Sequence, residues 1–152
     1  MVLTQKETAA LKDLQTQEQS CIEKYTRYAR EANDMVLREL FTTLSMEERK
    51  HYDSLGQALN GTVPNVDCND SKGAEYQPKA TYTSGDNSRA KQEDCFLATD
   101  CIGTEKLVSS EYNSDVFIFG DTGIRKLLAD IQIEEQNHAE MLWKYKEVNH
   151  MN

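Results

Sequence analysis

Apolar residues recur at alternating steps of three and four along four stretches of the chain, at about residues 4–32, 35–59, 88–119 and 122–148. This spacing places the apolar side chains on one face of an α-helix. Thr4 and Glu7 have the spacing of a capping box at the start of the first stretch. The pattern therefore predicts an all-α fold with four long helices.

Residues 60–87 differ in composition, because Gly, Pro, Asn, Asp, Ser and Thr are frequent there and no helical period is present. The other connections, at residues 33–34 and 120–121, are short turns. A long loop in a compact domain usually has a structural reason. A crossover between the second and third helices of an up-down four-helix bundle supplies one. We expect Tyr76 and Tyr82 to attach this loop to the bundle.

Two polar pairs interrupt the apolar faces of the second and fourth helices. Glu48 with His51, and Glu135 with His138, each have the spacing Glu-x-x-His. Residues three apart lie on one face of a helix about one turn apart, so each pair can bind one ion. A surface Glu–His pair is the alternative interpretation.

The chain repeats itself with a shift of 87 residues, which superimposes the two Glu-x-x-His pairs without a gap. The same shift aligns Glu18 with Glu105, Tyr25 with Tyr112, Asp34 with Asp121, Arg38 with Arg125 and Leu40 with Leu127. The chain is therefore an internal duplication, and we expect a pseudo-two-fold axis between its halves. Residues 116–119 favour a strand when read alone, but the repeat maps them onto the end of the first helix. We therefore expect the third helix to include them.

Lone carboxylates interrupt the apolar faces of the first and third helices, at Glu18 and Glu105. An unpaired carboxylate on such a face is costly to bury. Glu23 is the alternative on the first helix, but it lies off the apolar face and aligns with no acidic residue under the repeat. The predicted metal ligands are Glu18, Glu48, His51, Glu105, Glu135 and His138.

Four Glu and two His are the ligand set of helical bundles that bind two iron or manganese ions, in which two helices give one Glu each and two give Glu-x-x-His. Two divalent cations neutralise four carboxylates in a low-dielectric core. Oxygen ligands with imidazoles suit Fe or Mn, so we expect two such ions as cofactors. Two adjacent redox ions can transfer two electrons to peroxide or O2, which are the expected substrates.

The motif Glu-x6-Tyr followed by Glu-x-x-His, present twice, resembles the rubrerythrin branch of the ferritin-like superfamily. The resemblance implies a ferritin-like bundle in which Glu48 and Glu135 bridge two ions while Glu18 and Glu105 each bind one. The chain differs from that branch because it has no cysteine-rich rubredoxin module. It also has Val108 where that family carries a further carboxylate on the third helix.

Two interpretations of Tyr25 and Tyr112 stay open. Each tyrosine follows a predicted ligand, Glu18 or Glu105, by two helical turns. The hydroxyls could hydrogen-bond to metal ligands or the rings could supply an electron. Alternatively, both are aromatic residues that fill the core.

The chain also resembles the spore coat protein F (coat F domain) family, through the segments LTQKE (3–7), CIEKY (21–25), TEK (104–106), VSSEYN (108–113) and IEEQNH (133–138). That resemblance implies a ferritin-like protein of the spore coat or mother cell. It leaves three functions open: a di-metal oxidoreductase, a structural coat protein with a stabilising metal site, and an iron-storage protein. A homodimer or a coat assembly is the expected association.

Composition limits the other partners. The net charge is −9, which disfavours binding to nucleic acid or to an anionic membrane. A chain of 152 residues suits one domain. No apolar run resembles a signal peptide or a membrane helix, so we expect a cytoplasmic protein. Cys21, Cys68, Cys95 and Cys101 form no Cys-x-x-Cys pair and are expected to be free thiols.

Overall fold

The computed structural model describes residues 1–68 and 70–152. Its helices are α1 (Gln5–Glu31), α2 (Met35–Leu59), α3 (Lys72–Glu75), α4 (Arg89–Asp115) and α5 (Thr122–Val148). These residues contain no β-strand. The prediction of an all-α helical bundle is therefore confirmed. Among the same residues, no helix has both the length and the apolar character that crossing a membrane requires.

Side-chain caps determine where the long helices begin. At the start of α1, Thr4 Oγ1 accepts a hydrogen bond from the Glu7 N–H at 3.2 Å, and the Thr4 N–H donates to Glu7 Oε2 at 2.8 Å. Asp34 and Asp121, which the repeat aligns, cap α2 and α5 through their side-chain oxygens. These bonds satisfy N–H groups that the first turn of a helix leaves unpaired.

The third long helix ends earlier than the repeat predicts. The α-helix α4 stops at Asp115, residues Val116–Ile118 form a 3-10 helix, and Phe119 is extended. β-branched and aromatic residues have low helix propensity, and packing must compensate for it. Phe117 is 87% exposed and has no such packing, whereas Val116 and Ile118 pack against the core only in part. The β-prone composition of the segment therefore overrides the repeat.

The crossover is not wholly irregular, because it contains the single turn α3. The Gly73 N–H donates to Asn137 Oδ1 at 2.8 Å, and Lys144 Nζ donates to the Gly73 carbonyl at 2.7 Å. A Cβ at Gly73 would lie 2.5 Å from Glu140 Oε2 and 2.8 Å from Asn137 Oδ1. The lack of a side chain at Gly73 thus lets the crossover lie directly on α5.

Two apolar clusters fill the bundle, and a polar layer separates them. The helix α1 packs mainly against α2 and α4 against α5, with further contacts between α1 and α4 and between α2 and α5. Each long helix contributes to the first cluster, which includes Leu14, Leu55, Val108 and Ile131. Each long helix also contributes to the second cluster, which includes Tyr25, Leu44, Cys101 and Leu142.

Repeat-related residues make equivalent hydrogen bonds. Arg38 Nε donates to the Ala32 carbonyl at 2.6 Å, and its counterpart Arg125 Nη1 donates to the Phe119 carbonyl at 2.9 Å. Both bonds hold the turn that precedes the helix carrying the arginine. Each half of the duplication therefore builds its turn in the same way.

A second equivalent pair links the halves. Asp94 of α4 accepts from the Asn33 N–H at 2.8 Å, and Glu7 of α1 accepts from the Gly120 N–H at 3.1 Å. The shift of 87 residues aligns both the acids and the turn residues. The first helix of each half thus holds the turn of the other half.

Candidate metal centre

The polar layer contains all six predicted ligands, and none is more than 4% exposed. They form two groups of four in which one ligand atom per residue lies within 4.8 Å of the others. The first group is Glu18, Glu48, His51 and Glu135, and the second is Glu48, Glu105, Glu135 and His138. Glu48 and Glu135 belong to both groups. Glu23, the alternative on α1, is exposed and accepts a hydrogen bond from Gln19.

Each histidine directs its Nδ1 atom into the centre. His51 Nδ1 lies 3.0 Å from Glu48 Oε2 and 3.2 Å from Glu135 Oε1. His138 Nδ1 lies 3.2 Å from Glu48 Oε1 and 3.6 Å from Glu135 Oε2. The two rings are stacked with centroids 5.6 Å apart. The nitrogens therefore lie on either side of the two shared carboxylates.

Two tyrosines connect the halves through the terminal carboxylates. The Tyr25 hydroxyl on α1 donates to Glu105 Oε1 on α4, and the Tyr112 hydroxyl on α4 donates to Glu18 Oε1 on α1. Burial and the nearby glutamate charges raise the pKa of both hydroxyls well above its usual range, so both stay protonated donors. Each tyrosine thus fixes one oxygen of a carboxylate that belongs to the other half. This geometry favours the interpretation as hydrogen-bond donors over that of simple core filling.

Several carboxylate oxygens in the centre have no hydrogen-bond donor among the described residues. These atoms are Glu18 Oε2, Glu105 Oε2 and both side-chain oxygens of Glu135. Burial and the charge of Glu105 raise the pKa of Glu48 to about 7, and burial with three neighbouring carboxylates raises the pKa of Glu135 well above its usual range. Buried charges without partners are strongly unfavourable. A cation in this layer would relieve that cost.

The outer sides of the two histidines differ. His51 Nε2 lies 2.6 Å from Glu134 Oε2, and a ring N–H there donates to the carboxylate. Burial lowers the pKa of His51, but its bonds with Glu134 and the central carboxylates outweigh burial and raise the pKa well above its usual range. The repeat counterpart of Glu134 is Glu47, which instead contacts Lys50 at 2.8 Å and Lys72 at 3.4 Å. A carboxylate behind an imidazole ligand orients the ring and makes it a stronger donor.

Sequence reasoning did not find Glu134 as a functional residue. It directly precedes Glu135, and its contact with His51 joins α5 to α2 rather than two residues of one helix. The general need of a ligating imidazole for a partner at its other nitrogen was the available signal. The periodicity alone does not say which acid provides that partner.

The cysteines do not contribute ligands to either group. Cys21 and Cys101 are buried, Cys68 is exposed, and all four cysteines are free thiols. Burial, followed by the charge of Glu48, raises the pKa of Cys21. Neither buried thiol is therefore set up to ionise.

The donor set fits two divalent cations. Each group offers three carboxylates and one imidazole nitrogen, and the two shared carboxylates have oxygens for both ions. Oxygen donors with one imidazole suit Fe and Mn. Cations in this layer would account for the unpaired oxygens of Glu18, Glu105 and Glu135.

Comparison with known proteins supports the same class. A model of the family described as Rubrerythrin matches residues 10–146, which includes all six residues of the centre. Searches of curated proteins and of solved structures gave no match. The matched segment covers four complete or nearly complete long helices and the crossover. The chain therefore belongs to the rubrerythrin family, as a ferritin-like protein whose buried cluster of carboxylates and histidines fits a di-metal site.

Proposed function

We propose that the protein binds two Fe or Mn ions and uses them to reduce peroxide or O2. The observation that carries this proposal is the overlap of the two ligand groups at Glu48 and Glu135. Two shared carboxylates support two ions close enough to act together. Two unrelated single-ion sites would not share ligands in this way.

The six residues would take distinct roles. Glu48 and Glu135 would bridge the ions, because each has oxygens near both histidines. Glu18 with His51 would complete one ion, and Glu105 with His138 the other. Tyr25 and Tyr112 would hold the terminal carboxylates in place through their hydroxyls.

The chemistry follows from the electron count. Two bound ions in the reduced state would supply one electron each, which with two protons would convert one peroxide into two water molecules without release of a radical. The protein holds the ligands in a layer between two apolar clusters, which excludes bulk water. A second turnover would require an external reductant.

Metal content and single-turnover oxidation test the proposal. Mass spectrometry of the loaded protein is expected to find two ions per chain, and one peroxide is expected to oxidise two ferrous ions. Glu48→Ala and Glu135→Ala should abolish this coupled oxidation because each removes a bridge. Glu23→Ala is the matched control, since Glu23 is an exposed carboxylate on α1.

The outcomes separate the alternatives. Two bound ions that do not react with peroxide or O2 would leave a stabilising metal site, as in a structural coat protein. Ferrous oxidation followed by accumulation of many ions per chain would support iron storage. A chain that binds no metal would contradict the proposal altogether.

Association with the spore coat and the homodimer stay predictions from the sequence. Light scattering of the purified protein measures the number of chains per particle. Localisation of the tagged protein in sporulating cells measures coat association. Neither result changes what the centre binds.

A further inference from the structure

Glutamates directly precede both shared carboxylates, but the folded chain places these glutamates differently. Glu47 and Glu134 are aligned by the shift of 87 residues, and their side chains are 16% and 20% exposed. Glu134 Oε2 lies 2.6 Å from His51 Nε2, which belongs to the other half of the duplication. A fully symmetric centre would place Glu47 behind His138 in the same way.

His138 does not have such a contact. Within residues 1–68 and 70–152, the ion pairs of His138 are all with central glutamates and all use its Nδ1 atom. Glu47 and His138 both line a cavity of about 40 Å³, together with apolar residues such as Leu44 and Met141. Glu47 therefore lies on the outer side of His138 without forming an ion pair with it.

Two lysines hold Glu47 instead. Lys50 Nζ lies 2.8 Å from Glu47 Oε1, and Lys72 Nζ lies 3.4 Å from Glu47 Oε2. Both oxygens of Glu47 therefore have a cationic partner. Lys72 belongs to the crossover, which occurs once in the chain, so the crossover makes the two halves different at this level.

Glu134 has no equivalent of Lys50. The shift of 87 residues aligns Lys50 with Asn137, which carries no charge. Asn137 Oδ1 accepts from the Gly73 N–H, and Asn137 Nδ2 donates to the Ile133 carbonyl. The side chain at this position thus holds the crossover and leaves Glu134 to contact His51.

The contact with Glu134 prepares His51 to bind a cation. A ring N–H at Nε2 leaves the lone pair on Nδ1, which points into the centre. A divalent ion carries one more positive charge than a proton at Nδ1, so the Glu134 carboxylate favours the ion over the proton. The charge of Glu47 is balanced by lysines and gives His138 less of this help.

We propose that the two ion positions differ in affinity, that the position formed with Glu18 and His51 fills first, and that Glu134 is the positioning residue responsible. The inference rests on the proposed metal-binding function and adds an order of filling to it. Loss of a carboxylate behind a ligating imidazole lowers metal affinity about 10- to 100-fold. The structure provides such a carboxylate for one histidine of the centre and not for the other.

Calorimetric titration of the metal-free protein with Mn²⁺ tests the order of filling without a catalytic assay. The wild type is expected to bind in two steps of unequal affinity. Glu134→Gln should weaken the first step about 10- to 100-fold, because the amide keeps the shape of the side chain without its charge. Glu47→Gln is the matched control, since it makes the same change at the aligned position. Both of its steps should stay within about threefold of the wild type.

Proton NMR with Co²⁺ gives a readout that a purely structural role would not change. The ring N–H of a cobalt-bound histidine gives a signal far outside the ordinary range. At one equivalent of Co²⁺, the wild type should show one such signal, and its exchange with D2O should be slow because the N–H donates to Glu134. Glu134→Gln should accelerate this exchange, whereas Glu47→Gln should leave it unchanged.

Asp130→Asn separates the contact from the general effect of charge. Asp130 is buried one turn before Glu134, and its charge interacts with both Glu134 and His51. Its substitution removes a nearby charge but leaves the contact between Glu134 and His51 in place. Weakening of the first step by as much as in Glu134→Gln would overturn the positioning role.

The remaining outcomes distinguish this inference from the proposed function. A wild type that binds neither Mn²⁺ nor Co²⁺ would overturn metal binding itself. Two bound ions with unchanged affinities in Glu134→Gln, shown to be folded by circular dichroism, would overturn only the order of filling. Two histidine N–H signals of equal intensity in the wild type at one equivalent of Co²⁺ would also overturn it, whatever the variants show.

Discussion

Buried carboxylates occur at two levels of this bundle, and their surroundings differ. At one end, Asp34 and Asp94 accept hydrogen bonds on all four of their side-chain oxygens. In the central layer, oxygens of Glu18, Glu105 and Glu135 have no donor among the described residues. The two sets of buried acids therefore differ in how far the protein itself satisfies their oxygens. The end network is complete in the protein alone, whereas the central oxygens would gain partners from the cations that we propose.

The end network joins four parts of the chain. Asp94 Oδ2 accepts from the Asp34 N–H at 2.9 Å and from the Tyr82 hydroxyl at 2.7 Å. Asp34 Oδ2 accepts from the Tyr145 hydroxyl at 2.7 Å, and Asp34 Oδ1 accepts from Thr81 Oγ1 at 3.0 Å. The crossover, α4, α5 and the first turn therefore meet here. Tyr82 attaches the crossover to the bundle, as its sequence context predicts.

Metal binding at the centre should change the stability of the protein more than any of the substitutions below. An ion that binds only the folded state adds about 2.7 kcal/mol to the free energy of unfolding at about 100 times its Kd, and the two ions add together. Chelation followed by dialysis should therefore lower the Tm, and Mn²⁺ should restore it in calorimetry. An unchanged Tm after verified removal would show that the central carboxylates are no less satisfied than those of the end network.

Removing an acid from the end network should destabilise the protein strongly. Asp94→Ala leaves the N–H groups of Asn33 and Asp34 and the Tyr82 hydroxyl without an acceptor. Each buried unsatisfied donor costs about 1–3 kcal/mol, so the free energy of unfolding should fall by about 3–5 kcal/mol in urea titrations. The loss should be the same with and without metal.

The duplication supplies the control for that variant. Glu7 makes the corresponding bond, to Gly120, but at an exposed position. Glu7→Ala removes the acceptor of both the Thr4 N–H and the Gly120 N–H, but it should destabilise the protein less than Asp94→Ala because water can satisfy both exposed groups. Equal losses would mean that burial beneath the crossover does not distinguish the two ends.

The metal-free protein should lose stability as the pH rises from about 5 to about 8. The pKa of Glu48 is raised from 4.5 to about 7 in the folded state, so folding favours its protonated form. That contribution is complete below the unfolded pKa and disappears as the pH passes the folded value. The raised pKa values of His51 and His138 act in the same direction. We expect a loss of about 2 kcal/mol in urea titrations.

Metal should change the sign of that pH dependence, because metal and protons compete for the same carboxylates and imidazoles. The loaded protein should become more stable between about pH 5 and about pH 8. A metal-free protein whose stability rises over this range would contradict the raised pKa values of the central acids.

Neutralising one central acid should change the free energy of unfolding least. The change should be a gain, whereas Asp94→Ala causes a loss. Glu135→Gln removes a group whose ionisation is unfavourable beside three other carboxylates. The metal-free variant should gain about 1–2 kcal/mol at neutral pH, because the amide keeps the volume without the charge. Chemical denaturation measures this gain, and it should shrink toward pH 5. A loss of stability would show that the ionised group has a partner in the folded state.

The helical periodicity and the 87-residue repeat predict the long helices and the convergence of the central residues. The helical period is a local signal and the repeat has a constant shift, so both can be read directly from the sequence. The shift also aligns Glu7 with Asp94, but the acid-to-turn bonds depend on how the helices pack. Asp94 lies near the start of α4, and the sequence alone does not show that its side chain is buried.

Other features depend on contacts that no spacing encodes. The turn α3 forms where Gly73 meets Asn137, although the crossover has no helical period. Glu134 and Asp130 acquire their surroundings from the crossover and from α2. The early end of α4 reflects a conflict between the repeat and the β-prone residues 116–118. These are the places where tertiary contacts or local propensity overrule the pattern.

The crossing of Tyr25 and Tyr112 has a consequence for assembly. Each hydroxyl binds a carboxylate of the opposite half, so a two-helix half could build this centre only by pairing with a second copy. Joining both halves in one chain makes formation of the centre a first-order process with a fixed effective concentration. Metal affinity should therefore not change when the protein is diluted, even where a pair of separate halves would dissociate.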